Sequence, residues 1–142
     1  MKTKIVLALF AAAGLISSAA QAVDLAGEWS VIQGKSQGAL SGKPDHKAVE
    51  GGDLIFSGAA SDPNLPFVLK INDQKGNGFH AQWCSPKKCE KAVGVIRKDG
   101  SILMADEDST FLAAMYGNEM ELCVTEPGKS LRIAICYMME KK

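Results

Sequence analysis

The sequence predicts an all-β fold: an antiparallel up-and-down meander that closes into a small barrel of about eight strands. Turn signals built from Gly, Asn, Asp, Ser and Pro recur from position 76 onward, at the spacing of about 8–12 residues that is typical of antiparallel domains. Between the turns, apolar and polar residues alternate as in half-buried strands, and no convincing helical periodicity follows residue 22. These observations favour hairpins joined in chain order.

The first 22 residues predict a cleaved signal peptide. Lys2 and Lys4 precede a short apolar run, and Ala20-Gln21-Ala22 has the small-x-small form of a cleavage site. The run is shorter than the roughly 20 apolar residues that span a bilayer, and an uncleaved anchor is the alternative. Residues 23–142 are expected to form a single β-barrel domain with no membrane span, located in the periplasm or secreted.

The charge of the chain after residue 22 argues against a nucleic-acid partner. Without Lys2 and Lys4, 14 basic residues stand against 16 acidic ones, a net charge of −2. Nucleic acids and anionic membrane surfaces attract chains with a clear basic excess, which this one lacks.

Nine segments are predicted as strands: 27–33, 52–58, 66–74, 79–84, 89–97, 101–106, 110–116, 119–125 and 131–138. Nine antiparallel strands would bring the first and last together in parallel, so one is expected to be missing, split or outside the barrel. The glycine-rich stretch 34–51 is predicted to be a long connection at the barrel end that carries the turns near 76, 99 and 117. A connection of that length is unusual unless it has a function, so it is a candidate mobile lid.

The four cysteines predict two disulfides, each bridging one hairpin. Cys84 and Cys89 bracket one turn, and Cys123 and Cys136 bracket another. Four cysteines allow three pairings, and the local one is favoured because the others would have to join separate hairpins. Disulfides in turn favour an exported chain over a cytosolic one.

Register supports the second of these pairs. Setting Cys123 opposite Cys136 places Met120 opposite Met139 and Val124 opposite Ile135. These pairs join apolar residues on the face opposite the cysteines, and a one-residue slip would destroy both matches.

The first pair has weaker support. A Cys84–Cys89 bond sets Phe79 against Gly94. Val93 and Val95 then face the other way, and the sequence predicts no cover for them.

Large apolar side chains are predicted to face the barrel interior. A barrel of eight strands either fills with side chains or holds one small ligand. Trp29, Phe79, Trp83 and Tyr137 are the candidate contacts for a small, mainly apolar ligand in the barrel or at its mouth. The favoured function is therefore an exported, non-enzymatic binding protein without a cofactor.

The alternative function is a protein-binding module, such as a periplasmic inhibitor of a secreted protease. Lys87, Lys88 and Lys91 form a small basic cluster beside the stapled turn. The cluster either keeps a hairpin tip soluble or contacts an acidic protein partner. Phe56, Phe67 and Phe111 add to the predicted interior and favour a filled barrel, which would leave the outer surface for binding.

Enzymatic and metal-binding motifs are weak. Gly34-Lys35-Ser36-Gln37-Gly38 matches G-x-S-x-G, but that motif needs a strand-to-helix turn, and only His46 and His80 could act as base. Catalysis by Ser36 is therefore not the favoured interpretation. No metal is predicted either, because three consecutive acidic residues at 106–108 fall short of the six or more oxygen ligands of calcium.

Two family resemblances extend this interpretation. Leu25-Ala26-Gly27-Glu28-Trp29 resembles the G-x-W opening of small secreted calycin-like barrels such as lipocalins and avidins, which implies a tryptophan that closes one barrel end. The stretch from Val93-Gly94 through Asp99-Gly100 to Ser109 is similar to the middle section of the periplasmic inhibitors of serralysin-type metalloproteases. That similarity implies that the residues before the first strand, here 23–26, insert into a protease cleft.

Overall fold

The chain forms an antiparallel β-barrel, as predicted. The computed structural model describes residues 23–42, 52–58 and 66–142, so the predicted signal peptide at 1–22 lies outside the described residues. The strands within these ranges are β1 (Gly27–Gly42), β2 (Gly52–Ser57), β3 (Val68–Lys75), β4 (Gly78–Cys84), β5 (Cys89–Ile96), β6 (Ile102–Ala105), β7 (Thr110–Tyr116), β8 (Glu119–Pro127) and β9 (Leu131–Lys141).

Eight of these strands close the barrel. The hydrogen-bonded order runs from β1 through β3, β4, β5, β6, β7 and β8 to β9, and β9 pairs with β1. The remaining strand, β2, pairs with β1 from Gln37 to Gly42 and lies outside the closed ring. This position of β2 resolves the difficulty of closing nine antiparallel strands.

The first strand is much longer than predicted, and the prediction of a connection beginning at residue 34 is wrong. The register between β1 and β9 shifts between Val31 and Ser36, and Gly34 has a positive φ of 78°, so a bulge interrupts the alternation. After the bulge, β1 continues to Gly42. Small residues are required there, since a Cβ on Gly38 would lie 2.5 Å from the carbonyl oxygen of Ala134.

The extension of β1 also moves the start of the predicted lid. Gly42 lies opposite Leu131, beside the turn between β8 and β9. The chain therefore leaves β1 at the barrel end opposite to the predicted one. Residues 43–51, the rest of the predicted lid, lie outside the described residues.

The predicted register of the last hairpins is confirmed. Met120 pairs with Met139, and Val124 pairs with Ile135, across β8 and β9. Their side chains belong to a continuous buried core. Alternation in each strand places one face inward, so burial of apolar area fixes the register.

Both predicted disulfides are present, and the described residues contain no free cysteine. Cys84 bonds to Cys89, and Cys123 bonds to Cys136. Each bond joins residues directly opposite one another in adjacent strands. Two structural disulfides indicate an oxidising compartment.

Candidate binding surfaces of the barrel

The barrel interior is filled around the residues predicted to contact a ligand. Trp29, Phe79, Trp83 and Tyr137 are exposed by only 2%, 5%, 7% and 6%. All four belong to the hydrophobic core. They therefore touch other side chains of the chain itself.

Aromatic rings account for much of this filling. Trp83 stacks on Phe67 with ring centroids 4.8 Å apart and an interplanar angle of 11°. Phe111 approaches Trp83 edge-on at 5.6 Å, and Tyr137 lies 6.0 Å from the same ring. Offset and edge-on pairs of this kind stabilise a packed core beyond the area they bury.

Residues 23–26 close the end of the barrel that carries the β3–β4 turn. Leu25 is fully buried. Its backbone N–H donates to Oε1 of Gln74, and its carbonyl oxygen accepts from the indole N–H of Trp29, each at 2.9 Å. The ammonium of Lys141 lies 5.7 Å from the centroid of the Trp29 ring. Sequence reasoning did not identify Leu25, although its place in the G-x-W opening was a usable signal.

The predicted basic cluster lies at and beside the stapled turn between β4 and β5. Lys87, Lys88 and Lys91 are exposed, and the hydroxyl of Ser85 accepts from the backbone N–H of Lys88 at 3.1 Å. Lys88 forms a salt bridge with Glu90. The hydrogen bond to Glu90, followed by that carboxylate's charge, raises the pKa of Lys88.

Acidic residues of the neighbouring turn lie next to this cluster. The charges of Glu107 and Asp108 also raise the pKa of Lys88. The turn between β6 and β7 thus offsets part of the basic charge that the sequence alone presents. The surface here carries mixed charge.

Asp106 is the carboxyl group among the described residues whose pKa is raised by burial. Its Oδ1 accepts from the backbone N–H of Ser109 at 2.7 Å and of Asp108 at 3.3 Å. Its Oδ2 is buried without a hydrogen-bond partner. Burial outweighs the backbone hydrogen bonds and raises the pKa of Asp106.

Two described clusters contain potential metal ligands. Carboxylate oxygens of Glu90, Asp106 and Asp108 lie within 4.8 Å of one another, but three carboxylates fall short of the oxygen set that calcium takes. The other cluster contains Cys123 and Cys136, whose sulfurs are joined in a disulfide. Neither cluster offers a complete ligand set.

Ser36 does not occupy a nucleophile elbow. It lies within β1, is 1% exposed and faces Tyr137 across the pair of strands. A nucleophile elbow exposes its serine at a turn from strand to helix. His80 is exposed, and its Nδ1 lies 3.6 Å from Oδ2 of Asp73. His46 lies outside the described residues.

The outer face of β5, β6 and β7 carries an apolar patch. Val93 pairs with Ala105, Val95 with Leu103, and Leu103 with Leu112. All five side chains are exposed. We call these five residues the outer apolar patch. The sequence predicted that Val93 and Val95 face outward, but not that they belong to a larger apolar surface.

A second outward surface lies over β2, β1 and β9. An open depression with a volume of about 640 Å³ is lined by Ala39, Leu40, Ser41, Asp53, Leu54, Ile55, Arg132, Ile133 and Ala134. Its middle is shallow because the outward residues Ala39 and Ala134, which pair with each other, are small. Ile55 beside them is 87% exposed. β2 pairs with β1 alone among the described strands.

No helix among the described residues has the length and apolar character needed to cross a membrane. Neither the known protein-family models nor the curated proteins include a match to this chain.

Proposed function

We propose that this chain is an exported, non-enzymatic binding module that recognises an extended segment of a partner protein at the edge of β2. The filled interior is the observation that carries the proposal. The aromatic residues that could contact an internal ligand, Trp83 and Tyr137 among them, pack on one another instead. A barrel whose described interior is packed with its own side chains leaves its outer surface for recognition.

The hydrogen-bonding pattern of β2 supports this edge as the binding site. The N–H of Gly58 donates to the carbonyl oxygen of Ser36 at 2.8 Å. Bonded and non-bonded pairs alternate along an antiparallel ladder. The backbone N–H groups of Asp53, Ile55 and Ser57 therefore point away from β1, where a partner strand could pair with them.

The depression beside β2 would supply sequence preference. In β-strand addition, backbone hydrogen bonds give affinity and neighbouring pockets select side chains. Ile55 borders a shallow apolar floor at Ala39 and Ala134, and Arg132 lines the same depression. A partner segment with an apolar residue and an acidic neighbour would fit this surface.

The disulfides and the predicted signal peptide together support export from the cytosol. Cys84–Cys89 and Cys123–Cys136 are the kind of bonds that persist outside the cytosol. We therefore propose that the chain meets its partner in the periplasm or outside the cell.

Protease inhibition through the residues before the first strand is not part of this proposal. Leu25 is fully buried against its own barrel, and its backbone is bonded to Gln74 and Trp29. Inserting residues 23–26 into a protease cleft would first require these contacts to break.

Site-specific photo-crosslinking in the native compartment tests the proposal. A photoreactive amino acid at Ser57, which is exposed on the outward face, should form an adduct with a polypeptide. The adduct should be lost on Ile55→Pro, because proline removes an edge N–H while keeping the ladder to β1. Ile55→Val keeps that N–H and should keep the adduct. An adduct that survives Ile55→Pro would contradict recognition at this edge.

A small apolar ligand is the second candidate, and the depression over β2, β1 and β9 favours it. A volume of about 640 Å³ falls within the range of small-molecule sites. Native mass spectrometry of protein purified from its own compartment would reveal such a molecule as an added mass. A retained molecule that is lost on Ala134→Trp would replace the protein-partner proposal.

A further inference from the structure

We infer that two copies of this chain associate through the outer apolar patch, with a two-fold axis running along β6. The inference concerns a different face from the one proposed for partner recognition. In the closed ring, β6 stands four strands from β1 in either direction, so the two surfaces lie on opposite sides of the barrel.

The first support is the continuity of the patch. Val93, Val95, Leu103 and Leu112 are exposed by 57%, 43%, 43% and 51%. The cross-strand pairs Val95–Leu103 and Leu103–Leu112 form one row over three strands, and Val93 lies in the adjoining row, opposite Ala105. Contiguous exposed apolar patches on soluble proteins usually mark interaction sites.

The second support is the charge at the borders of the patch. Basic residues lie on the β5 side: Lys91 stands two residues before Val93, on the same face. An acidic residue lies on the β7 side. Val93, Ala105 and Thr110 lie opposite one another in one row across β5, β6 and β7. Asp108 stands two residues before Thr110. Lys91 and Asp108 thus stand at the same level on the two sides of β6, and the carboxylate of Asp108 also lies within 4.8 Å of that of Glu90 on β5.

A two-fold axis along β6 makes these borders complementary. Rotation about an axis in the contact plane exchanges the β5 and β7 sides and keeps the level along the strands. Lys91 of one copy then faces Asp108 of the other, twice. Val95 faces Leu112, and Leu103 meets its own counterpart on the axis. A self-complementary patch of this kind is what a two-fold contact requires.

The other border follows the same arrangement. Arg97, which also pairs with Asp99 of its own turn at 3.3 Å, lies two residues beyond Val95 on the β5 side. Glu121 lies on β8, opposite Ala114 of β7. The same rotation brings Arg97 over Ala114 and towards Glu121. Charge complementarity therefore recurs at both borders.

The size of the patch sets the strength of the contact. Three strand spacings by six residues along a strand measure about 15 Å by about 20 Å, and the barrel wall curves away on both sides. The patch therefore covers about 300 Å² per copy, or about 600 Å² in total, which is less than a stable interface buries and matches a weak, transient contact. We therefore expect a dimer with a Kd in the range of about 1–100 µM, populated at high local concentration.

Sedimentation equilibrium of the mature protein from about 1 to 500 µM tests the inference. Wild type should show a monomer–dimer equilibrium. Leu103→Asp places two carboxylates together on the axis and should abolish the dimer, while Val23→Asp, a comparably exposed apolar site away from the patch, should leave Kd unchanged. Circular dichroism of each variant shows that the barrel is intact.

A charge swap separates this geometry from general stickiness. Lys91→Asp should weaken the dimer at least about tenfold, because it creates two like-charge contacts. Asp108→Lys should do the same, and the double variant should restore the wild-type Kd. A protein that stays monomeric at the highest concentration, or a double variant weaker than both single ones, would overturn the inference. Crosslinking at Ser57 is independent of this outcome.

Discussion

Gly94 lies directly opposite Phe79 across β4 and β5, and a Cβ atom on Gly94 would lie 2.2 Å from Cζ of Phe79. The same Cβ would lie 2.8 Å from Cγ of Met104. The ring of Phe79 thus lies over the bare backbone of Gly94. Pairing a glycine with an aromatic residue lets short strands enclose large side chains without a clash.

We predict that Gly94→Ala destabilises the barrel by about 1–3 kcal/mol, the usual cost of forcing an extra methyl group into a packed core. The φ of Gly94 does not lie in the left-handed region, so the effect comes from packing. Phe79→Leu removes the atoms that clash. The double variant should therefore be more stable than the sum of the two single effects predicts, as urea unfolding would measure.

Gly78→Ala is the matched control for this prediction. It lies in the neighbouring strand, and its Cβ would meet no atom closer than 3.9 Å. Its free energy of unfolding should stay close to that of wild type. Similar losses for both variants would mean that loss of glycine, rather than the Phe79 ring, causes the effect.

The fold was predictable where local signals agree. The β7–β8 and β8–β9 hairpins have recognisable turns, strict alternation and a cysteine pair, and together these determine the observed pairing of Met120 with Met139. Each signal acts within about 20 residues of chain, so no knowledge of distant contacts was needed.

The rest depends on contacts between distant segments. The bulge between Val31 and Ser36 breaks the alternation, and small residues after it, such as Gly38, are typical of loops. They are explained only by the close approach of Ile135, whose Cα would lie 2.7 Å from a Cβ on Gly38. The outer apolar patch likewise arises from the pairing of β5, β6 and β7. Alternation gives the face of each residue but not its neighbours across strands.

We predict that both disulfides stabilise the barrel and that the longer loop matters more. Cys123 and Cys136 are 13 residues apart, while Cys84 and Cys89 are 5 apart. Each bond should stabilise the folded state by about 2 kcal/mol, because it lowers the entropy of the unfolded chain. The Cys123–Cys136 bond closes the longer loop and should contribute about 0.7 kcal/mol more. Paired Cys→Ala variants, compared by their urea midpoints, test the order. A larger loss for the Cys84/Cys89 variant would contradict the entropic account.

Asp106→Asn is predicted to stabilise the protein at neutral pH and not at low pH. Burial raises the folded-state pKa of Asp106 above its ordinary value of 3.8, so the folded state binds this proton more tightly than the unfolded state. Stability therefore falls as pH rises through the interval between the two values, and the cost is fully present at pH 7. The gain should stay below about 1 kcal/mol, because the carboxyl is partly solvated.

Thermal unfolding of wild type and Asp106→Asn at about pH 7 and about pH 3 measures this difference. The asparagine keeps an oxygen for the backbone N–H groups of Ser109 and Asp108. Glu107→Gln is the control, since Glu107 is exposed in the same turn. A variant less stable than wild type at pH 7 would show that the ionised carboxylate contributes more through its hydrogen bonds than its burial costs.

Leu25→Ala is predicted to destabilise the mature protein by about 2–5 kcal/mol, the range found for removing a buried leucine side chain. Leu25 is fully buried although it precedes the first strand, and its carbonyl holds the indole of Trp29 at 2.9 Å. Val23→Ala, two residues earlier and 49% exposed, should cost less than about 1 kcal/mol. Urea unfolding followed by tryptophan fluorescence reports on both variants. Equal, small losses would mean that residues 23–26 leave the barrel end in solution, and would reopen their use as an inserting segment.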